Sequence, residues 1–377
     1  MTANLLISSL YFNSYNHAAI TTYIQELIMR IFTLCIISSI LLSGCQKPTE
    51  SIDEQAKQQN VKKNVSQDNC QNLDQAMQKM NEKSTIQTLD KINAQLKQCV
   101  SKVKSPQQLK WLNASTKMYL RFLKSDTDEL SSTAFGDYTY SILENKDNNL
   151  DQSISTALQG DPELFKKLGK RDQYLLKHQG QAYIEFQYIG EGIFEYRRQP
   201  QYILDIFARA LPKDQQVFMH RMAKDNQEPL YNDSALAVSW AELVERALFW
   251  EKYLKQYPNA TFKADAQNLF NEYRYLIFFG SDNTPVSDLF FKDEWIDEEA
   301  LIEIQKLAKK QDTTLQIPAQ KFLNFIQFST DEHNQVMGTN DSPHVLLQQF
   351  LGLKNIWATD NKKDCHRDAI CTEVEYN

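Results

Sequence analysis

The sequence predicts an all-α protein with an irregular helical-repeat-like body, either a solenoid or a bundle. Glycine accounts for only 10 of 377 residues, well below the average usage of about 7%, so tight hairpins that need positive φ angles should be rare. Apolar residues recur at steps of three and four along several segments, which is the spacing of one helix face. Cap residues followed by proline, as in Asp161-Pro162 and Ser342-Pro343, mark helix starts.

Composition excludes two broad classes of protein. Hydrophobic residues make up 42% of the chain and charged residues 24%, which is typical of a globular protein and unlike a fully disordered one. The formal net charge is -7, whereas a general nucleic-acid binder needs a surplus of Lys and Arg to contact phosphates. We therefore predict no nucleic-acid partner.

Residues 1–44 are predicted to be an upstream segment and an export signal. The apolar run Ile31–Leu42 carries no charge, and as a helix it would be about 18 Å long, against about 30 Å of membrane hydrocarbon. This length is too short for a spanning helix and typical of a signal-peptide core. Residues 1–28 contain no Lys or Arg, and Met29-Arg30 stands directly before the run, so we predict that translation starts at Met29.

The four residues after this core resemble a known processing motif. Leu42-Ser43-Gly44-Cys45 resembles the lipobox of bacterial lipoproteins, in which an aliphatic residue and two small residues precede a cysteine. The resemblance implies cleavage between Gly44 and Cys45 and acylation of Cys45 by fatty acids such as palmitate. Gln46 stands where Asp favours inner-membrane retention in enteric lipoproteins, which implies an outer-membrane lipoprotein that faces the periplasm. The alternative is a buried strand followed by a loop cysteine.

Beyond the anchor, composition divides the chain into further regions. Residues 46–69 are almost entirely polar and cannot build a core, so 45–69 is predicted to be the lipid anchor and a flexible tether. A polar break at residues 225–233 separates an N-terminal helical region, 70–228, from a C-terminal helical region, 229–360. Residues 361–377 form the predicted disulfide-looped tail.

The four cysteines beyond Cys45 are expected to form disulfides, as in other exported chains. Three pairings are possible, and the spacing favours one of them. Two helical patterns lie between Cys70 and Cys99, and folding them back on each other brings these two cysteines together. Cys365 and Cys371 would then close a small loop near the C-terminus.

A zinc site at Cys365-His366 and Cys371 is the competing interpretation of this tail. Zinc sites usually have cysteines two to four residues apart and further ligands, which this tail does not offer. We predict no metal and no cofactor.

Helical spacing accounts for most of the remaining chain. Ser84 and Ser105 are expected to be N-caps, because each stands three residues before a Gln. Two long helices are predicted from apolar stripes, and the members of each stripe share a face. These stripes are Ala182, Phe186, Ile189, Ile193 and Tyr196, and then Trp240, Leu243, Ala247, Trp250, Leu254 and Tyr257. Further helices are predicted at about 106–124, 150–168, 199–224, 261–278, 296–311, 316–329 and 343–356.

The segment after the second stripe carries a local family resemblance. Tyr253–Ala260, followed by Phe262 and Ala266, resembles the helix-turn-helix junction of tetratricopeptide-type envelope proteins. The resemblance covers roughly residues 246–279 and implies two packed helices. A regular array would repeat this pattern at a period of about 34 residues, and no second copy is present, so the predicted fold is irregular.

One mixed aromatic and basic segment is the candidate interaction site. It consists of Tyr196, Arg197, Arg198 and Tyr202, and Tyr and Arg are enriched among residues that dominate interface energetics. The alternative is that the two arginines end a helix and complement its dipole.

A second candidate is a glycan site. Glu185, Glu191 and Glu195 lie near several tyrosines, and carboxylates beside aromatic rings suit sugar cleavage. The alternative is that the tyrosines form core and the glutamates face solvent. The sequence contains no HExxH, GxSxG or phosphate-binding glycine loop, which favours binding over catalysis.

The predicted function is therefore an outer-membrane lipoprotein that acts as a periplasmic adaptor or scaffold for another envelope protein, and meets the membrane through its lipid. The alternatives are a cell-wall glycan-cleaving enzyme or glycan-binding accessory, and an inhibitor of a periplasmic enzyme that presents the Cys365–Cys371 loop. Partner identity and oligomeric state are left open by the sequence.

Overall fold

The body is built from α-helices joined by short connections. The structure, a computed structural model, describes residues 70–126, 129–147, 159–337, 342–356 and 363–373. The α-helices of these ranges are α1 Leu73–Lys79, α2 Ile86–Cys99, α3 Ser105–Phe122, α4 Glu129–Asp147, α5 Pro162–Lys167, α6 Lys170–Lys177, α7 Gln201–Ile206, α8 Lys213–Asp225, α9 Trp240–Gln256, α10 Lys263–Phe279, α11 Glu298–Lys309, α12 Gln316–Phe325, α13 Thr330–Met337 and α14 Pro343–Leu351. The predicted helical fold class is confirmed.

Strands occur in the described ranges only as four two-stranded antiparallel hairpins. These are β1 Ile184–Gly190 with β2 Ile193–Arg198, β3 Tyr231–Asn232 with β4 Ala235–Leu236, β5 Gly280–Ser281 with β6 Thr284–Pro285, and β7 Lys363–Asp364 with β8 Thr372–Glu373. The first hairpin is by far the longest, and it corrects the sequence prediction.

That correction concerns the first apolar stripe, which the sequence assigned to a helix. Phe186 and Tyr196 were expected on the same face of one helix, but they are cross-strand partners in the β1–β2 hairpin. The chain turns at Gly190 and Gly192, whose φ angles are +105° and +76°, values that glycine adopts without strain. Apolar residues at steps of four and three can also be distributed over two short paired strands. The spacing therefore did not distinguish a helix from a hairpin.

Helix starts follow the predicted chemistry in two cases and differ in two. The side chain of Asp161 caps α5, and that of Ser342 caps α14, as expected. Thr85 caps α2 in place of Ser84. Helix α3 already begins at Ser105, so that its N-cap is Lys104, which makes no side-chain cap bond. In both differing cases the helix start lies one residue from the prediction.

The predicted helix at 199–224 is divided into separate elements. Helix α7 ends at Ile206, a 3-10 turn follows at Ala208–Ala210, and α8 starts only at Lys213. Pro212 explains the division, since the residue before a proline avoids helical angles, and Leu211 is extended at φ -97° and ψ 161°. Helix α4 was not predicted. Of the helix predicted at 150–168, only Pro162–Lys167 is helical in the described part.

The second stripe forms the helix that the sequence predicted. Helices α9 and α10 pack against each other, and the connection at Tyr257-Pro258 lies between them. Trp250, Tyr253 and Tyr273 bury nearly all of their surface in this pair. The helix pair is confirmed, whereas its resemblance to tetratricopeptide proteins stays a prediction.

A single hydrophobic cluster runs through the described body, from Leu73 in α1 to Cys371 before β8. The described residues belong to one compact unit. The boundaries expected near residues 228 and 360 stay predictions. The signal segment 1–44, the processing site Gly44–Cys45 and the tether 45–69 lie outside the described residues.

Candidate functional site

The β1–β2 hairpin has one apolar face and one polar face. On the apolar face, Phe186 and Tyr196 pack around Phe135 of α4, with ring centroids 5.8 and 6.1 Å from it. On the polar face, Gln187 and Glu195 are direct cross-strand partners. Side chains alternate between the faces of a strand, so the same register buries one set of residues and presents the other.

The C-terminal disulfide loop covers part of the polar face. Arg197 Nε lies 2.6 Å from Glu185 Oε2, and its Nη1 donates to the backbone oxygen of Arg367 at 3.2 Å. Arg198 reaches the loop from the other face of the strand, with its Nη2 2.5 Å from Asp368 Oδ2. The loop and hairpin are therefore held together by charged side chains.

Asn226 anchors the loop from the end of α8. Its Nδ2 donates to the backbone oxygens of Cys365 and Asp368, at 2.8 and 2.7 Å, and the residue is only 1% exposed. The last turn of α8 is itself fixed, because Arg221 Nε lies 2.7 Å from Asp225 Oδ2. The buried Asn226 at the end of α8 thus fixes the position of the loop through two hydrogen bonds.

A cleft of about 210 Å³ opens between the hairpin, the segment before β3 and the loop. Its lining combines apolar, amide and charged side chains. These are Gln187, Ile189, Glu195, Pro229, Leu230, Tyr231, Asp364, His366 and Arg367. Ile189 and Ile193, beside the hairpin turn, are 38% and 51% exposed. The cleft and these two side chains form the candidate functional site.

Two carboxylates line the cleft against one guanidinium. Arg367 Nη1 lies 3.2 Å from Glu195 Oε2. Burial raises the pKa of Glu195; Arg367 opposes that rise, whereas the charge of Asp364 adds to it. A carboxyl with a raised pKa in a cleft is typical of functional sites.

A hydrogen-bonded chain forms one wall of the cleft. His366 Nε2 lies 2.8 Å from Glu272 Oε1, and the Tyr231 hydroxyl donates to the same oxygen at 2.9 Å. Burial opposes charge on both members of the pair, but their mutual attraction and hydrogen bond outweigh it, so the pKa of His366 is raised and that of Glu272 lowered. Burial and the charge of Glu272 also raise the pKa of Tyr231.

This chain lacks the geometry of a general base. His366 Nδ1 is buried and has no hydrogen-bond partner among the described residues. A general base must reach a substrate proton within about 3 Å, and a nitrogen shielded from solvent does not. The pair of His366 and Glu272 therefore fastens the loop to α10.

The predicted interaction segment is buried, contrary to expectation. Tyr196, Arg197, Arg198 and Tyr202 are between 0% and 7% exposed. Arg197 and Arg198 lie in a strand, so they do not end a helix, and their guanidinium groups are used in ion pairs within the body. The aromatic and basic residues that suggested an interface serve internal packing in this part of the chain.

The predicted glutamates are separated by the hairpin. Glu185 pairs with Arg197, and Glu191 is exposed at the turn with a φ angle of +51°. Only Glu195 lines the cleft. Of the three glutamates that the sequence grouped by their nearness to tyrosines, one therefore lies at the cleft.

Both predicted cysteine pairs are joined as disulfides. The Cα atoms of Cys70 and Cys99 are 5.8 Å apart, and those of Cys365 and Cys371 are 4.1 Å apart. The competing zinc interpretation is thereby replaced, and the described residues contain no group of three or more metal-ligating side chains.

The loop closed by Cys365 and Cys371 does not project from the body. Asp368, Ala369 and Ile370 within it are at most 5% exposed. An inhibitory loop must be presented to an enzyme, and this packing does not provide such a surface.

Sequence reasoning did not identify Asn226, Tyr231, Glu272 or Asp364 as site residues. Glu272 lies 94 positions from His366, and no local pattern joins two such residues. The one available signal was His366 itself, since a histidine beside a disulfide cysteine is held in a fixed place.

The chain matches no known protein-family model, no curated protein and no solved structure. In the part that the structure describes, none of the helices has the length and apolar character needed to cross a bilayer.

Proposed function

We propose that this chain is an outer-membrane lipoprotein, anchored through Cys45 and facing the periplasm, which binds another envelope protein at the hairpin cleft. The observation that carries the binding role is the pair of exposed isoleucines, Ile189 and Ile193, beside a cleft of mixed polarity. Apolar side chains next to a concave site favour protein contacts. The two disulfides support an oxidising compartment.

The anchor is tested by labelling cells with radioactive palmitate. We expect the label in the wild-type protein and its loss in Cys45→Ser, together with release from membranes, because acyl chains supply the anchoring free energy. Cys35→Ser is the matched control, since that residue belongs to the segment predicted to be removed. Unlabelled wild-type protein would contradict the membrane placement.

The binding surface is tested by photocrosslinking in living cells. A benzoylphenylalanine at Ile193 should give a discrete crosslinked product, because this exposed side chain lies two positions from the cleft residue Glu195 on the same face of β2. Ile302 on α11 is the control position, since its exposure of 49% matches the 51% of Ile193. Equal products from both positions, or none from Ile193, would remove the assignment to this surface.

Glycan cleavage is a second candidate that one observation favours. Glu195 has a raised pKa and shares the cleft with Asp364, as an acid and a second carboxylate do in glycosidases. If the chain cleaves cell-wall glycan, Glu195→Gln should reduce digestion of purified cell wall by about 100-fold or more. Absence of digestion by the wild-type protein would exclude this candidate.

A further inference from the structure

The cleft has apolar walls and room for one long side chain. Ile189, Pro229 and Leu230 supply its apolar surface. Sites for whole small-molecule ligands usually enclose about 300–1,000 Å³, whereas this cleft has about 210 Å³. Its size therefore suits a single side chain of a larger partner better than a complete ligand.

Among the described residues, Arg367 supplies the only guanidinium of the cleft lining, and that group is already engaged. Arg367 Nη1 lies 3.2 Å from Glu195 Oε2, and Nη2 of the same side chain donates to the Tyr196 backbone oxygen at 2.9 Å. Its attraction for an incoming anion is therefore reduced. An anionic occupant would also face the second carboxylate, Asp364.

Asp364 forms no salt bridge with a Lys, Arg or His side chain among the described residues, although its charge also contributes to the raised pKa of the neighbouring His366. Its Oδ1 accepts a hydrogen bond from the backbone N–H of His366 at 2.8 Å. The neighbouring Lys363 turns away, and its Nζ lies 2.8 Å from Asp265 Oδ1 on α10. The carboxyl groups of Glu195 and Asp364 thus face the single guanidinium of Arg367 in this lining, next to apolar surface.

We infer that the cleft receives a basic side chain from an extended segment of the partner, with an apolar neighbour of that side chain resting on Ile189 and Ile193. A lysine or arginine places its methylene stem on apolar surface and its charge at the end, which matches a lining that includes both the apolar Pro229 and Leu230 and the carboxyl group of Asp364. Charge complementarity of this kind selects the partner. The inference rests on the proposed binding role and names the chemistry of the partner.

The test uses three labelled peptides and the full chain purified in detergent. The peptides have blocked ends and the form Thr-Leu-X-Leu-Thr, where X is lysine, norleucine or glutamate. Fluorescence polarisation should give an affinity for the lysine peptide about tenfold higher than for the norleucine peptide, since a hydrogen bond between an ammonium group and a carboxylate adds about that much. The glutamate peptide should bind most weakly.

Two matched variants test whether the carboxyl group of Asp364 causes the preference for lysine. Asp364→Asn keeps an oxygen that accepts from the His366 N–H and should remove the preference for lysine. Glu299→Gln, an exposed change on α11, removes the same charge elsewhere and should leave the tenfold ratio intact. Higher salt concentration should reduce the ratio of the affinities for the lysine and norleucine peptides, because salt screens the attraction between charges.

Three results would overturn the inference. They are equal affinity for the lysine and norleucine peptides, no binding of any peptide, and displacement of the lysine peptide by cell-wall oligosaccharide with equal efficiency in Asp364→Asn. Crosslinking from Ile193 and palmitate labelling are measured independently, so a lipoprotein that binds a partner of different chemistry would still give those products.

Discussion

Buried charges hold the C-terminal loop against the hairpin. The side chains of Arg198 and Asp368 are 3% and 8% exposed, and the Arg198 guanidinium also lies 4.5 Å from the centroid of the Tyr202 ring. Desolvation of two such charges offsets much of their attraction, so the pair itself adds little net stability. Replacing only one of the two residues should cost far more stability, because the charge of the other then stays buried without its partner.

Arg198→Met should therefore lower the free energy of unfolding by about 3–5 kcal/mol, since it leaves Asp368 buried and unpaired. Urea unfolding of the purified protein measures this loss. Lys166→Met in the exposed Glu163–Lys166 pair is the control, with an expected loss below about 1 kcal/mol. Equal losses in the two variants would show that the Arg198 pair is solvated in solution.

The pair of His366 and Glu272 makes stability depend on pH. Because the pKa of His366 is raised above its usual 6.5, its contribution to stability is complete below about pH 6.5 and declines as the pH rises through the folded-state value. Asp364 adds to this rise, whereas Arg246 opposes it. The lowered pKa of Glu272 sets the acid limit, where the contribution declines as the pH falls through that pKa.

We expect the difference in unfolding free energy between the wild-type protein and His366→Gln to shrink from about pH 6 to pH 9. Urea unfolding across this range measures it, and the ring resonances of His366 give the pKa directly. In Glu272→Gln the pKa of His366 should fall. A difference that stays constant with pH would contradict the ionised pair.

At the scale of elements, the turn of the β1–β2 hairpin approaches the β3–β4 hairpin closely. Gly190 approaches the β3–β4 hairpin so closely that an added Cβ would lie 2.6 Å from the Asp233 backbone nitrogen, whereas a Cβ on Gly192 would meet nothing within 4 Å. Both glycines have positive φ angles. A side chain at Gly190 would thus meet both an unfavourable φ angle and a steric clash. A side chain at Gly192 would meet the unfavourable φ angle alone.

Gly190→Ala should consequently destabilise the protein by about 2–4 kcal/mol, and Gly192→Ala by about 1–2 kcal/mol. Thermal unfolding with a urea series measures both values, and the second variant serves as the control for the loss of glycine. If the two losses are equal, the contact of Gly190 with β3 contributes nothing.

At the scale of the whole molecule, the two disulfides constrain loops of very different length. Cys70–Cys99 spans 29 positions and Cys365–Cys371 only 6. In the chain-entropy model the longer loop contributes more, about 3–4 kcal/mol against roughly 2 kcal/mol. The shorter disulfide also holds the residues that contact Asn226 and Glu272 in one conformation.

Replacing Cys70 and Cys99 together by alanine should lower the free energy of unfolding by about 3–4 kcal/mol. The double replacement of Cys365 and Cys371 should lower it by about 2 kcal/mol plus any anchoring that is lost. Urea unfolding of both variants separates the contributions. If the variant without Cys365 and Cys371 loses more unfolding free energy than the variant without Cys70 and Cys99, the contacts that anchor the loop contribute more than the entropy of loop closure.

Local sequence chemistry determined the helical class, most helix positions and both disulfides. Apolar spacing predicts a helix wherever one face is buried over several turns, as in α9 and α10, and helical patterns between Cys70 and Cys99 imply their pairing. Asp161 and Ser342 act as caps because their side chains bond to backbone N–H groups within three residues, a range that the sequence contains. The segment Leu42–Cys45, which resembles a lipobox, is a local pattern of the same kind, and both its processing and its lipidation stay predictions.

Only the tertiary structure decided the site. The segment from Ile184 to Arg198 satisfies both helical and strand spacing, and packing of Phe186 and Tyr196 against Phe135 selects the hairpin. Glu272 meets His366 and Asn226 meets Cys365 through contacts that span 94 and 139 positions. Such contacts depend on how elements pack in space, and burial together with the charged neighbours then shifts the pKa of each group. Neither the contacts nor the shifts follow from the neighbours of a residue along the chain.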